Sequence, residues 1–305
     1  MNHLLNGTAA LPHLGVIRAE GIDAASFLQG QLTQDFASLG AGEARLAAFC
    51  NAKGRVQASF VGIRRGPTEF LLVTSRDILA PTLKRLSMFV LRAKAKLSDA
   101  TADFDLYGLA GDVVTGLAVL GTEAWSEVDV GPASVVRLYP ADGQQRALWL
   151  APSGSPPPEG MSLSHSLWLW GEVRSAVATI TAPIVDAFVP QMLNYESVGG
   201  VNFKKGCYPG QEIVARSQFR GVLKRRAYLA RAASPLAAGQ EVFHASDTTQ
   251  PCGLVAQSAA APAGGWAAIV SIQVAAAKGG ALTVGSADGP VMEIEALPYL
   301  LLTDI

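Results

Sequence analysis

Val201-Asn202-Phe203-Lys204-Lys205-Gly206-Cys207-Tyr208-Pro209-Gly210-Gln211-Glu212-Ile213-Val214-Ala215-Arg216 is the stretch of this chain that core patterning does not explain. Elsewhere apolar residues recur at the period of a helix or a strand; from Lys205 to Glu212 they do not. Two glycines and a proline bend the backbone there, and the bend displays a thiol, a phenol, an amide and a carboxylate. Most cysteines are small buried hydrophobes. Cys207 breaks that pattern: it follows Lys205 by two residues and precedes a helix expected to begin near Gln211. A nearby cation and a helix N-terminus both favour thiolate over thiol, so the segment predicts a reactive or ligating sulfur. Cys207 and Lys205 are the candidate catalytic residues.

Outward from this stretch the chain is basic. Lys204, Lys205, Arg216, Arg220, Lys224, Arg225 and Arg226 are offset only by Glu212, and Lys84, Arg85, Arg92, Lys94 and Lys96 form a second cluster. Such runs are read either as solvated faces or as an electropositive site for a polyanion, nucleic acid or polycarboxylate. Beyond Ala227 come short β-like runs (227–230, 241–244, 253–256, 266–270, 281–284, 291–296) with Gly turns between, the texture of a small antiparallel barrel. Toward the N-terminus, 16–19, 45–49, 56–63 and 69–74 read as strands. Asp23 to Leu32 (capped by Asp23) and Arg76 to Val90 read as helices. A strand-rich region over 104–150, a stiff Pro-rich loop over 152–160 and a helix or apolar segment over 168–178 follow. The fold class expected is α+β, with residues 1–225 as one unit and 226–305 as the barrel.

A length of 305 residues agrees with two domains. With 24 Lys+Arg against 25 Asp+Glu and half the residues hydrophobic, the composition is that of an ordinary globular protein. Cys50, Cys207 and Cys252 offer neither a C-x-x-C pair nor a His/Cys cluster, which argues against a zinc ribbon or a disulfide framework and for a reducing compartment. No signal-like start and no long apolar run is visible, so a cytoplasmic protein with no membrane partner is expected. His3, His13, His165 and His244 all lie far from Cys207 in sequence, and no local base marks a Cys–His hydrolase. His13 and His244 are expected in turns or on surfaces, and Cys50 and Cys252 in structural roles.

The segment Lys205-Gly206-Cys207-Tyr208-Pro209-Gly210-Gln211-Glu212 resembles the K-G-C-Y-x-G-Q-E signature of the YgfZ family. Other pieces agree in order: 27–35 (Phe27-Leu28-Gln29-Gly30-Gln31-Leu32-Thr33-Gln34-Asp35), Cys50-Asn51-Ala52-Lys53-Gly54-Arg55, Phe188-Val189-Pro190-Gln191, Asn194, Gly199-Gly200, Arg220-Gly221 and Lys224-Arg225. The resemblance covers the chain to about residue 230. It implies the architecture of the glycine-cleavage T-protein: a folate-binding unit of two related antiparallel α+β subdomains, then a β-barrel. It further implies tetrahydrofolate, or another folate form, in a central cleft, and support of iron–sulfur client or assembly proteins, including tRNA-modifying enzymes.

A pterin calls for a flat slot, hydrogen-bonding groups for its amide edge and cations for its glutamate tail. Tyr195 and Tyr208 are the candidate stacking surfaces. Gln29, Thr33, Asn51 and Gln211 are candidate hydrogen-bonding groups, and Lys53, Arg55, Arg216 and Arg225 candidate tail cations. Glu212 could contact the pterin or be held against Lys205 or Arg216. One departure bears on chemistry. The T-protein's G-x-x-D-D pattern, laid over Gly54-Arg55-Val56-Gln57-Ala58, puts Gln57 and Ala58 where its acidic pair stands. Without that carboxylate, aminomethyl transfer lacks its agent. Two alternatives stay open: a folate-dependent aminomethyltransferase, and an RNA-binding module. The thin aromatic interleaving and a pI near 6.4 speak against the second.

Overall fold

The computed structural model describes residues 4–219 and 223–302; His3, Arg220 and Gly221 lie outside the described residues. Regular structure begins with β1 (Gly7–Ala10). Next come β2 (Leu14–Glu20), α1 (Ala24–Gln31), β3 (Ala44–Cys50), β4 (Val56–Gly66), β5 (Glu69–Ser75), α2 (Arg76–Ser87) and β6 (Lys96–Asp99). The sequence continues through β7 (Phe104–Ala110), α3 (Asp112–Thr115), β8 (Glu127–Val130), β9 (Ala133–Ala141), β10 (Gln144–Pro152) and α4 (His165–Arg174). After α5 (Gln211–Phe219) the chain ends in β11 (Arg225–Ala232), β12 (Glu241–His244), β13 (Gly253–Ala260), β14 (Trp266–Gln273), β15 (Leu282–Val284) and β16 (Val291–Glu295).

Strand order makes the first two sheets copies of one plan. One runs β3-β4-β5-β2-β6 and the other β8-β9-β10-β7-β1, with antiparallel pairs throughout. Each consists of a strand, a helix, a three-strand meander, a second helix and an edge strand. They differ only at the edge: β6 follows α2 directly, whereas β1 comes from the beginning of the chain. Strands β11 to β16 close into a barrel in the order β11-β14-β13-β12-β15-β16. The α+β class, the paired subdomains and the barrel are therefore all present.

Local chemistry sets the corners. Asp142 and Gly143 both take positive φ between β9 and β10, the two-residue turn that matches strand twist. Helix starts and ends depart from the sequence reading in ways that have causes. Asp23 makes no side-chain cap on α1, because its carboxylate accepts from Lys94 N at 2.7 Å instead. Ser164 caps α4 through Leu167 N, so that helix begins at His165; it ends at Arg174, before Ala176 enters the left-handed region at φ 56°. The 168–178 segment is thus displaced toward the N-terminus.

The two sheets bury apolar faces in one core, with Val16, Ile63, Leu71 and Val73 of one and Val136, Leu148 and Leu150 of the other, joined by Trp168 of α4. Residues 176–206 cross from α4 to the 205–212 loop through a second core that reaches the barrel. Buried polar side chains staple this crossing. Thr33 Oγ1 donates to Gly200 O at 2.6 Å and accepts from Ala48 N, and Gln34 Nε2 donates to Gly199 O. Gln191 Nε2 donates to Val214 O, and Asn194 Nδ2 to Ala227 O. Among the described residues no helix is long and apolar enough to cross a membrane.

Candidate functional site

The loop before α5 folds onto the β3–β4 turn, and glycine makes the contact possible. A Cβ on Gly210 (φ +79°) would stand 2.4 Å from Asn51 O and 2.6 Å from the Gly54 Cα. The turn is built by Asn51, whose Oδ1 accepts from Lys53 N and Arg55 N and whose Nδ2 donates to Asp186. Lys205 enters behind α1. Its ammonium donates to Gln29 O, to Leu32 O at 2.6 Å and to Gln34 O at 3.3 Å, so it closes the C-terminal end of that helix. It also lies 5.1 Å from the Tyr208 ring centroid, a cation–π contact. Burial pushes the Lys205 ammonium down to about 8, against the opposing charges of Asp35 and Cys207. Burial likewise pushes the Tyr208 phenol up, with the Cys50 thiol adding to it. Between these two buried neighbours Cys207 stands exposed.

The structure therefore brings Lys205, Cys207, Tyr208, the main chain of Gln29 and the Asn51–Arg55 turn together, but it gives most of them structural partners. All three ammonium protons of Lys205 go to main-chain carbonyls. Gln29 Oε1 accepts from Phe36 N and Ala37 N, and Arg55 donates to Ala187 O at 2.7 Å. Lys53 is exposed and Gln211 half-buried. Glu212 and Arg216 pair with each other at 2.8 Å on the solvent side of α5, one of the alternatives open for Glu212. Tyr195 is fully buried with its hydroxyl on Ala178 O at 2.6 Å, so its ring offers no stacking face; the core closes over it. Nor is the basic run around residues 204–226 one free cationic face: Lys205 is buried, and Arg226 pairs with the buried Glu196 at 2.6 Å.

A second location was not read from the sequence. Between the two sheets and α4 lies a cavity of about 80 Å³, walled by Leu46, Ser59, Phe60, Val61, Thr74, Trp125, Tyr139, Arg146, Trp168, Glu172 and Thr179, among others. A single water needs about 10–15 Å³ by this measure, so there is room for several waters or the edge of a flat ring. Two buried polar atoms of the wall have no hydrogen-bond partner, Thr74 Oγ1 and Arg146 Nε. Arg146 is held over the Trp168 ring at 4.3 Å, and burial lowers its guanidinium to about 10, with Glu172 opposing. Burial would raise the Glu172 carboxyl. The His13 hydrogen bond, the charges of His13 and Arg146 and the Trp168 N–H together hold it below the ordinary value. A guanidinium with an unpaired donor, a carboxylate and two indoles thus surround this small cavity.

None of the sequence-predicted site residues lines this cavity. From β4 it takes Ser59, Phe60 and Val61, while Gln57 turns toward Asp186 and Ala58 is buried. Ser59 Oγ already accepts from Ile180 N at 2.9 Å. The one signal available in sequence was Trp168-Leu169-Trp170-Gly171-Glu172, a carboxylate within an apolar run. Its partner Arg146 sits in a strand 26 residues earlier and gives no local hint. His13 lies in a turn, as expected, half-buried, and bonds to Glu172 at 3.1 Å.

No protein-family model matches the chain. It is 30% identical over 226 residues to a Vibrio vulnificus protein named tRNA-modifying protein YgfZ, covering 72% of this chain and 68% of that one. A protein of the same name from Edwardsiella ictaluri is 31% identical over 243 residues, covering 76% and 71%. Among solved structures, the glycine cleavage system aminomethyltransferase T from Bartonella henselae superposes with a TM-score of 0.65. That match covers 98% of this chain and 88% of that one at 16% identity, which makes it a likeness of fold.

Proposed function

Since the chain belongs to the YgfZ family, we propose that it is a folate-binding accessory protein acting in tRNA modification, with tetrahydrofolate or a related form held in the central cavity. The observation that carries this is the pair of orphaned polar atoms, Thr74 Oγ1 and Arg146 Nε, in a wall that also holds Glu172 and Trp168. Buried polar groups lose free energy unless paired, and a pterin's amide edge supplies both donors and acceptors. The residues fit the edge of the group: Glu172 would take its N–H donors, and Arg146 and Thr74 its acceptors, with Trp125 and Trp168 in the surrounding wall. The T-protein fold and the relatives' name support the same reading.

The exposed Cys207 is the second half of the proposal. One thiolate cannot hold an iron–sulfur cluster, which takes four ligands, so the thiol would act on a cluster or thiol of a client or assembly protein. Lys205 and Tyr208 would hold the loop that presents it. Aminomethyl transfer has less support, because the cavity residues from β4 carry no carboxylate. An RNA-binding module also has less, since Lys205 and Arg226 are engaged internally.

The test is a titration with tetrahydrofolate followed by tryptophan fluorescence, since Trp125 and Trp168 line the cavity. Saturable quenching is expected, weakened about tenfold or more in Arg146→Lys through loss of the planar fork. Absence of quenching together with absence of binding in equilibrium dialysis would overturn the folate reading. Loss of iron–sulfur enzyme activity in deficient cells supplied with Cys207→Ser supports the thiol's role, and full activity there removes it.

A further inference from the structure

His165, His13 and Glu172 form one hydrogen-bonded line. His165 Nε2 stands 2.8 Å from His13 Nδ1, and His13 Nε2 stands 3.1 Å from Glu172 Oε1. Carboxylate chemistry fixes its direction. An ionised Glu172 only accepts, so His13 carries its proton on Nε2; His13 Nδ1 is then an acceptor, and His165 donates to it from Nε2. Glu172 lies in the wall between two spaces. It lines the central cavity, and it also lines a groove of about 550 Å³ shared with His13, Arg76, Asp77, Gln257 and Thr179.

The charged surroundings are few. Arg146 faces Glu172 from β10, while Arg76 and Asp77 line the groove from the first turn of α2. Asp77 is engaged by Ser75 Oγ and Ala182 N, and Arg174 of α4 pairs with Asp142 and Glu295. From β13 comes the neutral Gln257, whose Nε2 donates to Glu172 Oε2 at 3.2 Å. Among the described residues, His13 is the one titratable side chain hydrogen-bonded to Glu172. Burial and the neighbouring His13 push His165 down, against the pull of Glu172, which favours a neutral His165 ring.

We propose that Glu172 exchanges protons with solvent through His13 and the half-buried His165, and that seating in the cavity the edge of a ring offering N–H donors to Glu172 is coupled to loss of a proton from this pair. The choice of ligand rests on the folate reading above. A proton taken from water at His165 Nδ1 releases the Nε2 proton to His13 Nδ1. His13 then passes its Nε2 proton to Glu172 Oε1. The reverse sequence returns one proton to water, and no electrons move. With the pair protonated, His13 holds the carboxylate in a charge-assisted bond and competes with the ligand's N–H groups. Binding therefore tightens as pH rises.

Two measurements test this. Imidazole ¹⁵N spectra of the full-length protein at pH 7.5 should show both rings protonated on Nε2, and a proton on His13 Nδ1 would overturn the line. Tetrahydrofolate titrated between pH 5.5 and 8 should bind about tenfold more weakly at the acid end. That dependence should flatten in His13→Gln, whose amide still donates but cannot relay, and in His165→Gln. Binding that is equally tight at all pH values sinks the coupling and leaves folate recognition standing. Absence of binding at every pH sinks the folate reading, and the spectra then still decide the hydrogen-bonded line.

Discussion

The 205–212 loop and the central cavity assemble polar groups by opposite means. In the loop, eight consecutive residues supply the groups, and the chain itself satisfies them: Lys205 is spent on three carbonyls and Glu212 on Arg216. In the cavity the groups come from β5, β10 and α4, and two of their atoms have no partner. A sequence-local cluster can thus be mainly a clamp that leaves one atom, the Cys207 sulfur, facing outward. Thr74 Oγ1 and Arg146 Nε are two of the seven buried side-chain atoms without a partner among the described residues, and they share this one cavity. Breaking the cavity should therefore cost both stability and ligand, whereas breaking the loop should separate them.

The largest effect is expected from Glu172→Gln. It leaves the buried Arg146 guanidinium without an opposing charge and exchanges a charge-assisted His13 bond for a neutral one. The expected loss is about 3 kcal/mol, read from chemical denaturation, together with loss of tetrahydrofolate quenching. Unchanged stability would show that Arg146 draws its compensation elsewhere. Next comes Lys205→Ala, which strips the donor from Gln29 O, Leu32 O and Gln34 O at the end of α1. A loss of about 2 kcal/mol is expected, with cavity binding retained. If quenching disappears as well, the loop and the cavity are one site and the contrast fails.

Much of the fold was legible because it depends on local rules. Apolar runs with glycine turns marked the barrel strands, and Asn51 with Gly54 marked the β3–β4 turn. The Lys205–Glu212 segment was legible as irregular because it lacks any apolar period. Burial was not legible. Tyr195 and Tyr208 looked alike as aromatic faces, yet one is sealed in the core and the other stacks beside an internal ammonium. Arg146 and Glu172 stand 26 residues apart, each among hydrophobic neighbours. Only the packing of β10 against α4 gives them one void to share, and no sequence spacing encodes that. Thr33 shows the same limit in small. A hydroxyl that could have reached a ligand instead bridges Ala48 N and Gly200 O, so Thr33→Val should cost about 1–2 kcal/mol and leave tetrahydrofolate affinity unchanged.

Cys207→Ser should have the smallest physical effect of all. The sulfur is exposed, so exchanging it for oxygen removes no buried area. Lys205 and Gly210, which hold the loop in place, are untouched, and the helix that follows starts from the same turn. The midpoint of thermal unfolding should stay within about 2 °C of wild type, and tetrahydrofolate should quench as before. Cellular support of iron–sulfur enzymes should nevertheless fail. That combination would sharpen the contrast to its limit: a loop whose architecture presents one outward atom, beside a cavity whose polar atoms come from distant strands. A large fall in unfolding temperature would instead make the sulfur part of the clamp, and the division between the two regions would no longer hold.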